Sequence, residues 1–126
     1  MNLTFYKYQG TGNDFVMIDN RANIFPKENV TIISKLCDRH FGIGADGVIL
    51  LENDTETDFK MVYFNADGSQ TFCGNGARCA VVFAKYLNII DTKTTFTAVD
   101  GEHYAEIENN TVSLKMIDVN DLVING

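Results

Sequence analysis

Cys73 is the residue whose type and neighbours could do chemistry. Gly74, Asn75 and Gly76 follow it, and Asn65 precedes it in the run Phe64-Asn65-Ala66-Asp67-Gly68. An apolar, alternating run at 59–64 reads as a strand, Asp67-Gly68 as a turn, and the apolar segment 75–89 as a helix. The spacing therefore predicts Cys73 at, or just before, a helix N-terminus. Unpaired backbone N–H groups and the positive end of the helix dipole favour negative charge there, which stabilises a thiolate. Gly74 and Gly76 leave those N–H groups open to a small anion, so a base and an anion hole can share one turn. The plain alternative is a core helix with a glycine-rich lead-in. A reactive residue type, two flanking glycines and the amide side chains of Asn65 and Asn75 favour the chemical reading.

The helix that must position this turn is apolar nearly all round. Cys79, Val82, Phe83, Tyr86, Leu87 and Ile90 follow helical spacing, Ala77, Ala80, Val81 and Ala84 fill much of the other side, and only Arg78, Lys85 and Asn88 are clearly polar. Such a helix is buried on most of its surface, so a sheet is expected to wrap around it. Cys79 lies six residues beyond Cys73, pointing elsewhere and roughly 9 Å further along the axis. It is expected to face the core.

A chain of 126 residues is one domain with a single modest core. A net charge of -7 with no cluster of Lys and Arg argues against a nucleic-acid surface. With no apolar run of membrane-span length and no export signal, a cytoplasmic protein away from the membrane is expected. Cys37, Cys73 and Cys79 are too few and too unevenly placed for a disulfide scaffold, and no Cys or His pattern offers a metal site.

In chain order, 3–8 and 15–18 read as strands joined by Gln9-Gly10-Thr11-Gly12-Asn13-Asp14, whose Gly-x-Gly is a weak phosphate-loop signal because no helix follows. Asn13 and Asp14 read as turn residues. A helix is expected over 29–40, with Val30, Ile33, Cys37 and Phe41 on its packed face, Gly42 as the stop and His40 in the last turn. Cys37 reads as a buried small hydrophobe. A glycine-rich bend, 42–47, leads into a strand at 48–51, and 53–58 is a polar loop. The runs 94–99, 103–107 and 111–117 form an antiparallel meander with turns at Asp100-Gly101 and Asn109-Asn110. His103, with no acid or thiol partner evident, reads as structural.

Three segments resemble the diaminopimelate epimerase family: Gly10-Thr11-Gly12-Asn13-Asp14-Phe15, Asp38-Arg39-His40-Phe41-Gly42-Ile43-Gly44-Ala45-Asp46-Gly47, and Phe64-Asn65-Ala66-Asp67-Gly68 through Cys73-Gly74-Asn75-Gly76-Ala77-Arg78-Cys79. The resemblance implies an α+β fold of two similar domains, each a curved antiparallel sheet wrapped around a central helix, with substrate in the cleft between them. Residues 1–117 would be the N-terminal domain and 118–126 the start of the linker to a second domain absent from this chain. It implies a cofactor-independent epimerase interconverting LL- and meso-diaminopimelate in lysine and peptidoglycan-precursor biosynthesis, a homodimer when full length. Cys73 resembles one of two catalytic thiols, the other belonging to the missing domain. Gly74 and Asn75 match the turn that holds the substrate α-carboxylate, and Asn13 and Asn65 match substrate-contacting positions. Gly47 departs from members that carry glutamine there. With one thiol in place, the chain alone is expected to be inactive. Another isomerase of the same fold (proline racemase-like or phenazine-type), a non-catalytic binding module and a thiol redox sensor are the rival readings.

Overall fold

The computed structural model describes residues 4–10, 12–40, 42–109 and 111–116. Three central strands are apolar at consecutive positions: residues 15–18, 48–51 and 61–64 are all buried. A strand reads that way when both of its faces are covered. β2 (Asp14–Asp19), β3 (Gly47–Glu52) and β4 (Phe59–Asn65) are covered on one face by α2 (Gly74–Tyr86) and on the other by α1 (Val30–Cys37). Phe15, Met17, Ile49, Leu51, Phe59, Met61 and Tyr63 face α2. Val16, Ile18, Val48, Leu50, Val62 and Phe64 face Ile33 and Cys37 of α1. The alternation expected at 59–64 is thus replaced by burial on both sides.

Adding β1 (Tyr6–Gln9), β5 (Lys93–Ala98), β6 (Gly101–Glu108) and β7 (Thr111–Met116) gives one seven-stranded sheet in the order β1-β2-β3-β4-β5-β6-β7. The α+β architecture, a curved sheet around a central helix, agrees with expectation. The sheet is mixed, however: β2 pairs parallel with β3, and β4 parallel with β5. A helix interrupts the chain at each of these junctions, and a crossover returns the next strand in the same direction. Because β2 and β4 run oppositely, right-handed crossovers stepping the same way across the sheet place α1 and α2 on opposite faces. α2 touches β2, β3, β4, β6 and β7, and its Phe83 ring meets Tyr6 and Tyr8 of β1 at centroid distances of 5.2 and 5.6 Å. One helix is thereby enclosed by most of the sheet. The β4–β5 junction is short, only Phe59↔Phe96 and Lys60↔Thr97, with the two Phe rings stacked at 5.0 Å.

Both helices end earlier than their apolar patterns suggest. Asn29 caps α1 by accepting from the Ile32 N–H at 3.2 Å. The chain then doubles back after Cys37, and the N–H groups of Ile43 and Gly44 donate to Leu36 O, and that of Ala45 to Cys37 O. This return needs glycine at 42, where a Cβ would stand 1.8 Å from Lys35 O. His40 therefore lies beyond the helix, its N–H bonded to the Asp38 carboxylate at 2.7 Å, rather than in a last turn. Val30, expected on the packed face, is half exposed; Phe41 lies outside the described residues. α2 stops at Tyr86 because Asn88 adopts a left-handed conformation (φ 63°) while the Ile89 N–H caps Ala84 O.

β5, β6 and β7 form the expected meander, with Val99 and Asp100 making the first turn and Gly101 already in β6. Leu3, Ile117 and the linker at 118–126 lie outside the described residues. Among those described, no helix is long and apolar enough to cross a membrane.

Phe83 is fully buried between helix and sheet. Phe83→Ala is expected to destabilise the chain by about 3–5 kcal/mol, read as a lower denaturant midpoint at constant slope.

Candidate active site

The strand registers decide which loops meet. Phe15 pairs with Gly47, and Gly47 with Asn65. The start of β2, the start of β3 and the end of β4 therefore lie at one end of the sheet, and the loops carrying Asn13, Asp46 and Asn65 gather there. Cys73 is the N-cap of α2, in extended conformation (φ -128°, ψ 114°), and its half-buried Sγ accepts from the Gly76 N–H at 3.4 Å. A sulfur replaces the usual cap oxygen here, facing the open N–H groups of the first turn.

Asn75 connects this turn to the glycine-rich loop: its Nδ2 donates to Asn13 Oδ1 at 2.8 Å. Asn13 Nδ2 in turn donates to Asp46 Oδ2 at 3.3 Å, and the Asp14 N–H donates to the same oxygen at 2.9 Å. Arg39 closes the group, reaching both Asp14 oxygens (3.1 and 2.9 Å) and Asp46 Oδ1 (3.2 Å), while Lys7 Nζ lies 3.1 Å from Asp14. The Arg39 guanidinium, with Lys7 adding to it against the opposing effect of burial, holds the Asp14 carboxyl well below the usual carboxylate range. Asn13, Cys73, Gly74 and Asn75 are thus brought together.

Asn65 is held by its own turn. Its Nδ2 donates to Ser69 O, Ser69 Oγ and Thr71 Oγ1 at 3.2, 3.1 and 3.1 Å, and its Oδ1 accepts from the Tyr63 hydroxyl at 2.9 Å. Burial, followed by the negative charge of a Cys73 thiolate, pushes the Tyr63 phenol up to about 12. Cys37 and Cys79 are buried in the core, and burial raises both thiols, Cys79 to about 11. Neither is placed to act as a second base. Among the described residues no group of His, Cys, Asp and Glu is placed to hold a metal ion.

Arg39, Asp46 and Tyr63, which hydrogen-bond Asp14, Asn13 and Asn65, escape sequence reasoning, because strand register and side-chain direction decide those contacts. The one available signal is that Asp14 and Asp46 both sit in glycine-rich bends entering strands. His103 needs correction: it does have an acid partner, Asp100, whose Oδ1 lies 2.8 Å from Nε2 across the β5–β6 turn. The buried imidazole stacks between Phe72 at 4.3 Å and Phe96 at 5.3 Å.

The diaminopimelate epimerase family matches residues 5–120. The chain belongs to the diaminopimelate epimerase family. It is 66% identical over 124 residues to the diaminopimelate epimerase of Flavobacterium psychrophilum, covering 97% of this chain and 48% of that protein. Identity to the Aquifex aeolicus diaminopimelate epimerase is 43%, covering 90% of this chain and 44% of that protein. The chain spans about half the length of these curated relatives. In fold it is similar to a phenazine biosynthesis protein of the PhzF family from Bacillus anthracis (TM-score 0.68, 16% identity, 90% of this chain and 40% of that one). It is also similar to a hydroxyproline epimerase from Agrobacterium vitis (TM-score 0.66, 14% identity, 90% and 41%). At those identities the likeness concerns the fold alone.

Two outcomes are expected. The folded state holds Asp14 ionised below its unfolded value, so this contribution is present above about pH 4 and is lost as pH falls further. The Tm of the unaltered chain should therefore fall more steeply on acidification below about pH 4 than that of Asp14→Asn. Second, an alkylating agent at neutral pH should label Cys73 ahead of Cys37 and Cys79, read by peptide mass spectrometry, because the other two thiols are buried and raised.

Proposed function

We propose that this chain is the N-terminal half of a cofactor-independent diaminopimelate epimerase, supplying one of two thiols that invert the α-carbon of a diamino diacid. The observation that carries the reading is Cys73 capping α2, beside the Asn13–Asn75 clasp. Inverting an amino-acid α-carbon means removing a weakly acidic proton from one face and returning a proton to the other. Without a cofactor to delocalise the carbanion, hydrogen bonds must stabilise the enolate-like carboxylate in a water-poor cleft. The N–H groups of Gly74 and Asn75 at the helix start suit that carboxylate. Asn13 and Asn65 would meet the remaining polar groups of the substrate.

Cys73 takes or gives the proton on one face. A thiol from the second domain of the full-length protein serves the other, and each group ends a turnover in the form its partner had at the start. The product would feed lysine and peptidoglycan-precursor biosynthesis in the cytoplasm, with the full-length protein a homodimer. The relatives' shared name and the match over residues 5–120 support the substrate class.

The test is inversion of LL-diaminopimelate to the meso form, followed by chiral chromatography. The isolated chain should give none. Adding the second-domain fragment of the Flavobacterium psychrophilum relative should restore turnover, and Cys73→Ala in the mixture should lower it at least about 100-fold. Inversion by the isolated chain, or an active Cys73→Ala mixture, would refute the half-site reading.

A further inference from the structure

Tyr63 lies on the α2-facing side of β4, two residues before Asn65 and so on the same side of the strand. Across the ladder its partner is Ile49, and the partner of Asn65 is Gly47. A Cβ at Gly47 would stand 2.4 Å from Tyr63 Cε1 and 2.8 Å from Cζ. The phenol ring therefore occupies the space that a side chain at 47 would take. It leans diagonally across the ladder toward Asn65, and only glycine opposite permits this. Phe15 meets the ring edge-on at 5.9 Å.

The hydrogen-bond directions follow from what each partner can do. The Ser69 backbone carbonyl only accepts, which fixes Asn65 Nδ2 on its side. Oδ1 must then face the phenol, and the hydroxyl donates to it at 2.9 Å. With its ionisation pushed up to about 12, Tyr63 stays a donor at neutral pH.

We propose that Tyr63 and Gly47 act as a matched pair in which the Tyr63 hydroxyl sets the direction of the Asn65 amide, making Tyr63 a positioning residue of the substrate site. The link to substrate rests on the proposed function; the positioning of Asn65 stands apart from it. Gly47 is then no mere loss of a polar side chain, because its absent Cβ admits the ring that orients the neighbouring amide.

Tyr63→Phe removes the hydroxyl while keeping the ring, its contact with Gly47 and its packing on Phe15, so the fold is retained. In the isotope-labelled chain, the Asn65 side-chain amide hydrogens should exchange roughly 3- to 10-fold faster in this variant. In the mixture with the second-domain fragment, KM for diaminopimelate should rise by a similar factor, about 3- to 10-fold, with kcat changed less. An Asn65 amide unchanged in Tyr63→Phe would overturn the proposal. A loosened amide with unchanged KM would also overturn it, leaving Tyr63 a residue of structure alone. Failure of the unaltered mixture to turn over would count against the proposed function instead, while the amide measurement would still decide whether Tyr63 sets Asn65.

Discussion

The seating of α2 in the concave face of the sheet is the contact on which the site depends. Ala77, Ala80, Val81 and Ala84 are wholly buried, and a Cβ at Gly76 would already press on Ile49 at 3.1 Å and Met61 at 3.4 Å. Small side chains let helix and strands approach closely, and a dense interior leaves little slack for the helix to slide. The position of the helix start is therefore set by packing along its whole length. Cys73, Gly74 and Asn75 inherit that position.

The polar side of the site is fixed by a different force. Asp14 and Asp46 enter adjacent parallel strands, so their carboxylates are forced together and would repel if left alone. Arg39 reaches both, and its planar fork suits two acceptors in a way that a single ammonium does not. Asp46 also accepts from Asn13, which holds Asn75. Charge pairing at one end of the sheet is transmitted, through two neutral amides, to the first turn of the helix.

Local signals made part of this legible. A cysteine between a turn and a long apolar segment, with glycines after it, places Cys73 at a helix start because caps and periodicity act within a few residues. The near-absence of a polar face on the segment after it foretells enclosure. Other features depend on partners that proximity in sequence does not reveal. Asn13 and Asp46 are brought together by parallel register, and the two parallel junctions exist because helices cross over between strands. Asp100 lies only three residues from His103, yet their contact depends on how the β5–β6 turn folds. Asn88 is one polar residue in an apolar run, and only its tolerance of left-handed backbone makes it the end of that helix.

The narrow seam between β4 and β5 has a mechanical corollary. Two ladder pairs and one stacked ring pair join the meander to β4 there, whereas the flanking junctions are zipped over six pairs each, and Asp54, Thr57 and Asp58 add hydrogen bonds to Thr94, Thr95 and Thr97 beside the seam. The ladder alone is a weak fastening, so β5–β7 is held as well by the bonds from 54–58 and by leaning on α2. Local opening should follow that line, parting the molecule into a β1–β4 lobe and a three-stranded flap, with the helix as the shared spine. Phe72, stacked on His103 of the flap and bonded in sequence to Cys73, joins the start of α2 to the more loosely fastened flap.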